Sequence, residues 1–234
     1  MYIKRVASAL SLFVAVALCA QAPLAAAQGR GAVTLESVLG QMDSQAKNFH
    51  SLSADVERTK VTVVVNDRST ETGTMLAHDD KMLLDMKAPD PRTILLTGGT
   101  LDVYTPGLKR VEEYDLGNNR GMVDQFLLLG FGTPGKGLQN DYAVTLVGEP
   151  TIDDKKTAEL ELIPKSQAAL AHFTKIQIWL DEASWLPVQQ QIFETGSGDY
   201  SIIRYSKVVR NPQIPDSQFK AHWPKGTQKV KPQG

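Results

Sequence analysis

The stretch Lys81–Thr105, KMLLDMKAPDPRTILLTGGTLDVYT, decides the fold of this chain. Met82, Leu84 and Met86 recur at every second position while Asp85 points the other way, which is the period of a strand with one apolar face. The run stops, resumes at Arg92–Thr97, turns on Gly98-Gly99 and resumes again at Leu101–Thr105. Links this short join antiparallel neighbours, because a parallel crossover needs a dozen or more residues. The unit is therefore a meander.

The same texture extends in both directions. Strand-like runs precede it at Ser53–Val65 and Ser69–Ala77, with turns at Asn66-Asp67 and Asp79-Asp80. After it come Arg110–Tyr114, Tyr142–Val147, Thr157–Pro164, Lys175–Asp181, Leu186–Glu194 and Tyr200–Val209. Asp153-Asp154 and Gly196-Ser197-Gly198-Asp199 supply further hairpin turns. Leu160 and Leu162 oppose Glu159 and Glu161, and Ile176, Ile178 and Leu180 oppose Lys175, Gln177 and Asp181. One face of the sheet is apolar and the other is wet.

Such a face must be covered, and helical cover is scarce. Leu35, Val38, Leu39, Met42, Ala46 and Phe49 follow helical spacing, with Thr34 placed to cap the helix. The second candidate is Gly121–Phe131, dense in Met122, Val123, Phe126, Leu127, Leu128 and Leu129 and bordered by glycine-rich segments. It reads as an apolar lid on flexible joints.

At the N-terminus Lys4 and Arg5 lead into an apolar run from Val6 to Ala20 and the small residues Ala25-Ala26-Ala27, the order of a secretory signal peptide spanning residues 1–27. Cleavage there removes Cys19, the only cysteine, and leaves roughly 200 residues, which suit one domain. Cys19 follows Leu18 rather than the small residue that a lipid-modified cysteine requires. With 25 Lys and Arg against 26 Asp and Glu, no broad basic face for nucleic acid is expected.

Three motifs invite chemistry and have plainer readings. Gly130-Phe131-Gly132-Thr133-Pro134-Gly135-Lys136-Gly137 has the spacing of a phosphate loop up to its lysine, but Gly137 stands where magnesium needs a hydroxyl. His50, His78, His172 and His222 have no ligand-set spacing, so no metal or other cofactor is expected. Gly196-Ser197-Gly198 lacks the frame of a nucleophile elbow, and Glu159 with Glu161 read as solvated residues. No catalytic residue is assigned and no enzyme activity is expected.

The order of elements resembles the LolA family of outer-membrane lipoprotein carriers. The resemblance rests on the helix entering Phe49-His50-Ser51-Leu52-Ser53-Ala54-Asp55-Val56, on Gly73 with Met75 and Leu76, and on Lys81–Pro89. Ile94–Pro106, and Phe219 with Pro224-Lys225-Gly226 near the end, add to it. The turn at His78-Asp79-Asp80 departs from the family, whose well-studied members carry an arginine in the second hairpin that latches the lid.

What the resemblance implies is a mainly β (α+β) fold over residues 28–234: a curved antiparallel sheet forming an incomplete barrel of about 11 strands, with a few helices over its mouth. It further implies a monomeric periplasmic carrier that shelters acyl chains of lipoproteins, or another lipid, and exchanges them with membrane-associated donor and acceptor proteins. Met82, Leu84, Met86, Val103, Leu160, Leu162, Ile176, Ile178 and Ile192 are the expected groove residues, with Met122, Phe126, Leu127 and Leu128 in the lid. A lipid-sensing regulatory module acting through a protein partner is the alternative on the same scaffold.

Overall fold

Two meanders meet at one long-range strand pair. The computed structural model describes residues 33–117 and 128–232, and the expected signal peptide lies outside the described residues. The first meander comprises β1 (Ser51–Thr62), β2 (Asp67–His78), β3 (Lys81–Met86), β4 (Arg92–Thr97), β5 (Thr100–Thr105) and β6 (Arg110–Asp115). The second comprises β7 (Tyr142–Gly148), β8 (Thr151–Ile152), β9 (Lys155–Pro164), β10 (Phe173–Asp181), β11 (Pro187–Glu194) and β12 (Tyr200–Arg210). β12 returns to pair antiparallel with β1, setting Tyr205 opposite Val56 and Ile203 opposite Arg58. A last strand, β13 (Gln228–Val230), lies parallel to β6.

The result is one curved sheet of 13 strands that stays open, with β13 at one edge and β7 at the other. The incomplete barrel implied by the resemblance is thus observed, with two more short strands than the sequence reading counted. β8 is a two-residue run turning on Asp153 and Asp154, both in the left-handed region. β13 joins the sheet over a long sequence separation, where no local turn announces it. β1 ends earlier than its apolar pattern suggests: Val63–Val65 form a 3-10 turn whose first amide donates to the Asp199 carboxylate at 2.9 Å.

Among the described residues three helices accompany the sheet. α1 (Leu35–Ala46) starts at the expected cap, where the Thr34 hydroxyl accepts a hydrogen bond from the Ser37 amide at 3.2 Å. It buries Val38, Leu39 and Met42. α2 (Gly135–Asp141) replaces part of the expected flexible joint, and α3 (Gln167–Leu170) is a single turn between β9 and β10. The glycines of the joint serve close approach. A Cβ on Gly135 would lie 2.3 Å from the Leu39 carbonyl oxygen, and one on Gly130 would lie 2.5 Å from Ile178 Cδ1.

Apolar residues gather into two clusters. One packs α1, α2 and Leu129 onto Leu160 and Leu162 of β9 and Ile176, Ile178 and Leu180 of β10. The other collects Leu52, Ala54 and Val56 of β1, Met75 and Ala77 of β2, Met82 of β3 and Leu96 of β4, with Phe131 and Tyr205 against them. The short turn at 128–131 spans both clusters, contributing Leu129 to the first and Phe131 to the second.

Candidate functional site

The second cluster leaves a hollow. Register sets Ala77 beside Met82, Met75 beside Leu84 and Gly73 beside Met86, so three methionines and a leucine share one face of β2 and β3. Val56 of β1, Ile192 of β11, and Ile203 and Tyr205 of β12 complete an apolar wall around a small hollow of about 70 Å³ that opens to solvent. Gly73 is part of the design, because a Cβ there would meet Met86 Sδ at 2.7 Å. Methionine suits such a wall: its unbranched, polarizable chain conforms to apolar ligands of varied shape.

Polar groups occur at defined points on this wall. Gln190 is buried and donates through Nε2 to the Leu129 carbonyl at 2.7 Å, tying β11 to the 128–131 turn. Tyr205 lies edge-on to Phe131 with ring centroids 4.9 Å apart, and burial pushes its phenol up. Arg58 and Arg92 stand at the mouth. Behind them Glu71 accepts from Arg58 Nη1 at 2.9 Å and from Arg92 Nη1 at 2.7 Å, with Arg92 Nη2 completing a two-point contact. Arg58 Nη2 also donates to the Ser201 hydroxyl at 3.0 Å. Burial pushes the Glu71 carboxyl up, yet the hydrogen bonds and charges of Arg92 and Arg58 outweigh it and leave the group below the ordinary carboxylate range.

The nine expected groove residues do not form one surface. Met82, Leu84, Met86 and Ile192 line the hollow. Val103 lies two strands away, opposite Ile94 in the register of β4 and β5. Leu160, Leu162, Ile176 and Ile178 are fully buried beneath α1 and α2, where helical side chains already occupy the space above them. Of the lid residues, Leu128 packs partly buried against the second cluster, and Met122, Phe126 and Leu127 lie outside the described residues. Sequence reasoning missed Arg58, Glu71 and Arg92. The signal was present, since charged residues at 58 and 71 interrupt the apolar faces of β1 and β2.

The other candidate sites described among residues 33–117 and 128–232 lack this enclosure. A larger hollow beside His50, His78 and residues 211–215 is open to solvent and mixes imidazole, amide and proline groups. Glu161 binds Lys175 at 2.7 Å on the polar face of β9 and β10, as an ordinary cross-strand ion pair does. The glycine-rich segment that mimics a phosphate loop follows a turn rather than a strand, and the Lys136 amide donates to the Asp43 carboxylate of α1.

Fold and hollow together define a class: an open, curved half-barrel with an apolar cavity on its concave face. The model of a protein family described as "Uncharacterized protein" matches residues 79–208, more than half of the chain, and the chain belongs to that family. An uncharacterized protein of Methanocaldococcus jannaschii is 27% identical over 137 residues, which cover 58% of this chain and 37% of that one. The chain thus spans little more than a third of that curated relative. Among solved structures, an uncharacterized conserved protein from Thermus thermophilus is similar at a TM-score of 0.55 and 11% identity, covering 84% of this chain and 98% of its own. A LolA superfamily protein from Nitrosomonas europaea is similar at a TM-score of 0.41 and 17% identity, covering 81% of this chain and 99% of its own. The open, curved antiparallel sheet expected from the sequence is the one observed.

Proposed function

We propose that this protein is an exported carrier that shelters the acyl chain of a lipoprotein, or of another lipid, in the methionine-lined cavity and passes it between membrane-associated donor and acceptor proteins in the periplasm. The observation that carries this reading is the unfilled apolar hollow bounded by Met75, Met82, Leu84, Met86 and Ile192. An apolar hollow with a mouth, walled by conformable methionine side chains, is where such a sheet would admit an apolar ligand. Each methylene moved from water against this wall contributes about 0.8 kcal/mol. Binding built from such increments holds a chain and still lets it leave, as a carrier requires.

Export follows from the reading of residues 1–27 as a signal peptide, with residues 28–234 acting as one unit. Leu160, Leu162, Ile176 and Ile178 are placed so that a longer chain reaches them only by displacing α1.

Native mass spectrometry of protein purified from the periplasm, with titration of a fluorescent fatty-acyl probe, tests the reading. The wild type is expected to carry acyl species and to bind the probe, and Met82→Glu or Leu84→Glu to abolish both by placing a carboxylate in the apolar wall. A wild type that carries no acyl species and binds no probe refutes the carrier. Recovery of a stable membrane-protein partner without lipid would instead favour the sensing module.

A further inference from the structure

The mouth of the cavity carries a charge pattern that an acyl chain alone does not explain. Of the described residues lining the hollow, two are charged and both are arginines; no carboxylate is among them. Glu71 stands behind the pair, its side chain 7% exposed against 30% for Arg58 and 25% for Arg92. One carboxylate therefore faces two guanidiniums and leaves one positive charge in excess at the entrance of an apolar cavity.

The backbone explains how the arrangement arises. Arg58 and Glu71 are directly opposite in the register of β1 and β2. β3 ends at Met86, opposite Gly73, so β2 extends past it and the side of Glu71 facing β3 has no strand partner. Arg92, paired with Met86 at the start of β4, reaches across that gap to the carboxylate. Glu71 thereby orients both guanidiniums before any ligand arrives. Ser201, which accepts from Arg58 on the β12 side, fixes the second arm.

We infer that the cavity selects amphiphiles whose acyl chain ends in an anionic head, a carboxylate or a phosphate, which Arg58 and Arg92 bind together while the chain enters between Met82, Met86 and Ile192. The inference rests on the carrier reading and adds the chemistry of the head. A planar, delocalised guanidinium is the side chain best matched to two-point contact with carboxylate or phosphate oxygens. Two of them oriented beside an apolar wall recognise head and tail at once. Glu71 competes with the ligand for the same donors, which limits affinity and eases release.

The test uses four twelve-carbon probes on the full mature protein, each displacing a neutral fluorescent acyl reporter: dodecanoate, dodecyl phosphate, dodecanol and dodecyl maltoside. Inorganic phosphate serves as a head without a chain. The two anionic amphiphiles are expected to bind at least tenfold more tightly than the neutral ones, with the preference shrinking as salt rises, and inorganic phosphate not to displace the reporter. Arg92→Gln should remove the preference, so that in this variant dodecanoate and dodecyl phosphate bind no more tightly than dodecanol. Glu71→Gln should move it the other way and strengthen anionic binding, an outcome that mere support of the sheet would not produce. Equal affinity for anionic and neutral probes, or a Glu71→Gln variant weakened like Arg92→Gln, overturns the inference and leaves the carrier reading intact. Failure of every acyl probe overturns both.

Discussion

The two halves of the concave face began with the same sequence pattern and ended differently. Over β9 and β10, Leu160, Leu162, Ile176 and Ile178 are sealed by Val38, Leu39 and Met42 of α1 and by Leu138 of α2. Over β2 and β3, equally apolar residues bound a hollow that no helix of the described chain fills. Alternation thus specifies which side of a strand is apolar, and the position of a few covering side chains decides whether that side becomes core or cavity.

The sharpest way to break this comparison is to truncate one residue on each side. Leu160→Ala removes a fully buried side chain from a packed cluster and is expected to lower unfolding free energy by about 3–4 kcal/mol. Leu84→Ala enlarges a hollow that already exists and should cost about 1 kcal/mol. Urea unfolding of both variants measures the difference. Equal losses would mean that the two halves are packed alike.

Next in size is the cover itself. Gly135→Ala drives a Cβ into the backbone of α1 at Leu39 and is expected to cost about 2 kcal/mol as the two helices are forced apart. Gly107→Ala, where a Cβ would meet nothing, should be close to neutral. The contrast is read from thermal unfolding midpoints, and comparable effects would show that α2 does not lean on α1.

This segment also shows where sequence reading reached its limit. Strands, turns and the capped first helix were legible because each depends on local pattern, as at Thr34 or Gly98-Gly99, whereas the openness of the sheet was implied by the family resemblance alone. The glycines at 130–137 were read as a joint, since glycine spacing alone does not distinguish a hinge from a close approach. What distinguishes them is Leu39 and Ile178, which come near only through long-range packing. The division of the groove residues was hidden for the same reason: Leu160 and Met82 look alike until α1 is placed over one of them. Arg58, Glu71 and Arg92 are far apart in sequence and become one site only through the registers of β1 with β2 and of β3 with β4.

Acid titration probes the open half through Glu71. Its carboxyl is held below the ordinary value of 4.5, so the stability it contributes is fully present above that value and is lost as pH falls through the depressed one. Glu71→Gln should lower stability at neutral pH by about 1 kcal/mol and flatten the acid limb of the stability profile. An unchanged acid limb would show that the arginines do not grip the carboxylate in solution.

The smallest expected effect comes from the covered region around β5, where a second carboxylate has the opposite character. Asp102 is buried beside β6 and the C-terminal tail, where Trp223 packs on Tyr104 with ring centroids 5.1 Å apart. One of its oxygens has no hydrogen-bond partner among the described residues. Burial pushes this carboxyl up, Lys229 pulls it partly back, and Glu113 adds to the rise. The folded protein therefore holds the proton more tightly than the unfolded chain does. Asp102 favours folding most below its ordinary value of 3.8, and that contribution declines as pH rises through the raised value. Asp102→Asn keeps the shape and removes the charge, so it should raise stability at pH 7 by about 0.5 kcal/mol, with no gain near pH 3. Denaturation curves at the two pH values check this. A variant less stable than the wild type at pH 7 would mean that Lys229 needs the charge of Asp102 more than burial opposes it. In that case the two carboxylates would work alike: Asp102 would fasten the tail to the sheet as Glu71 fastens the two arginines.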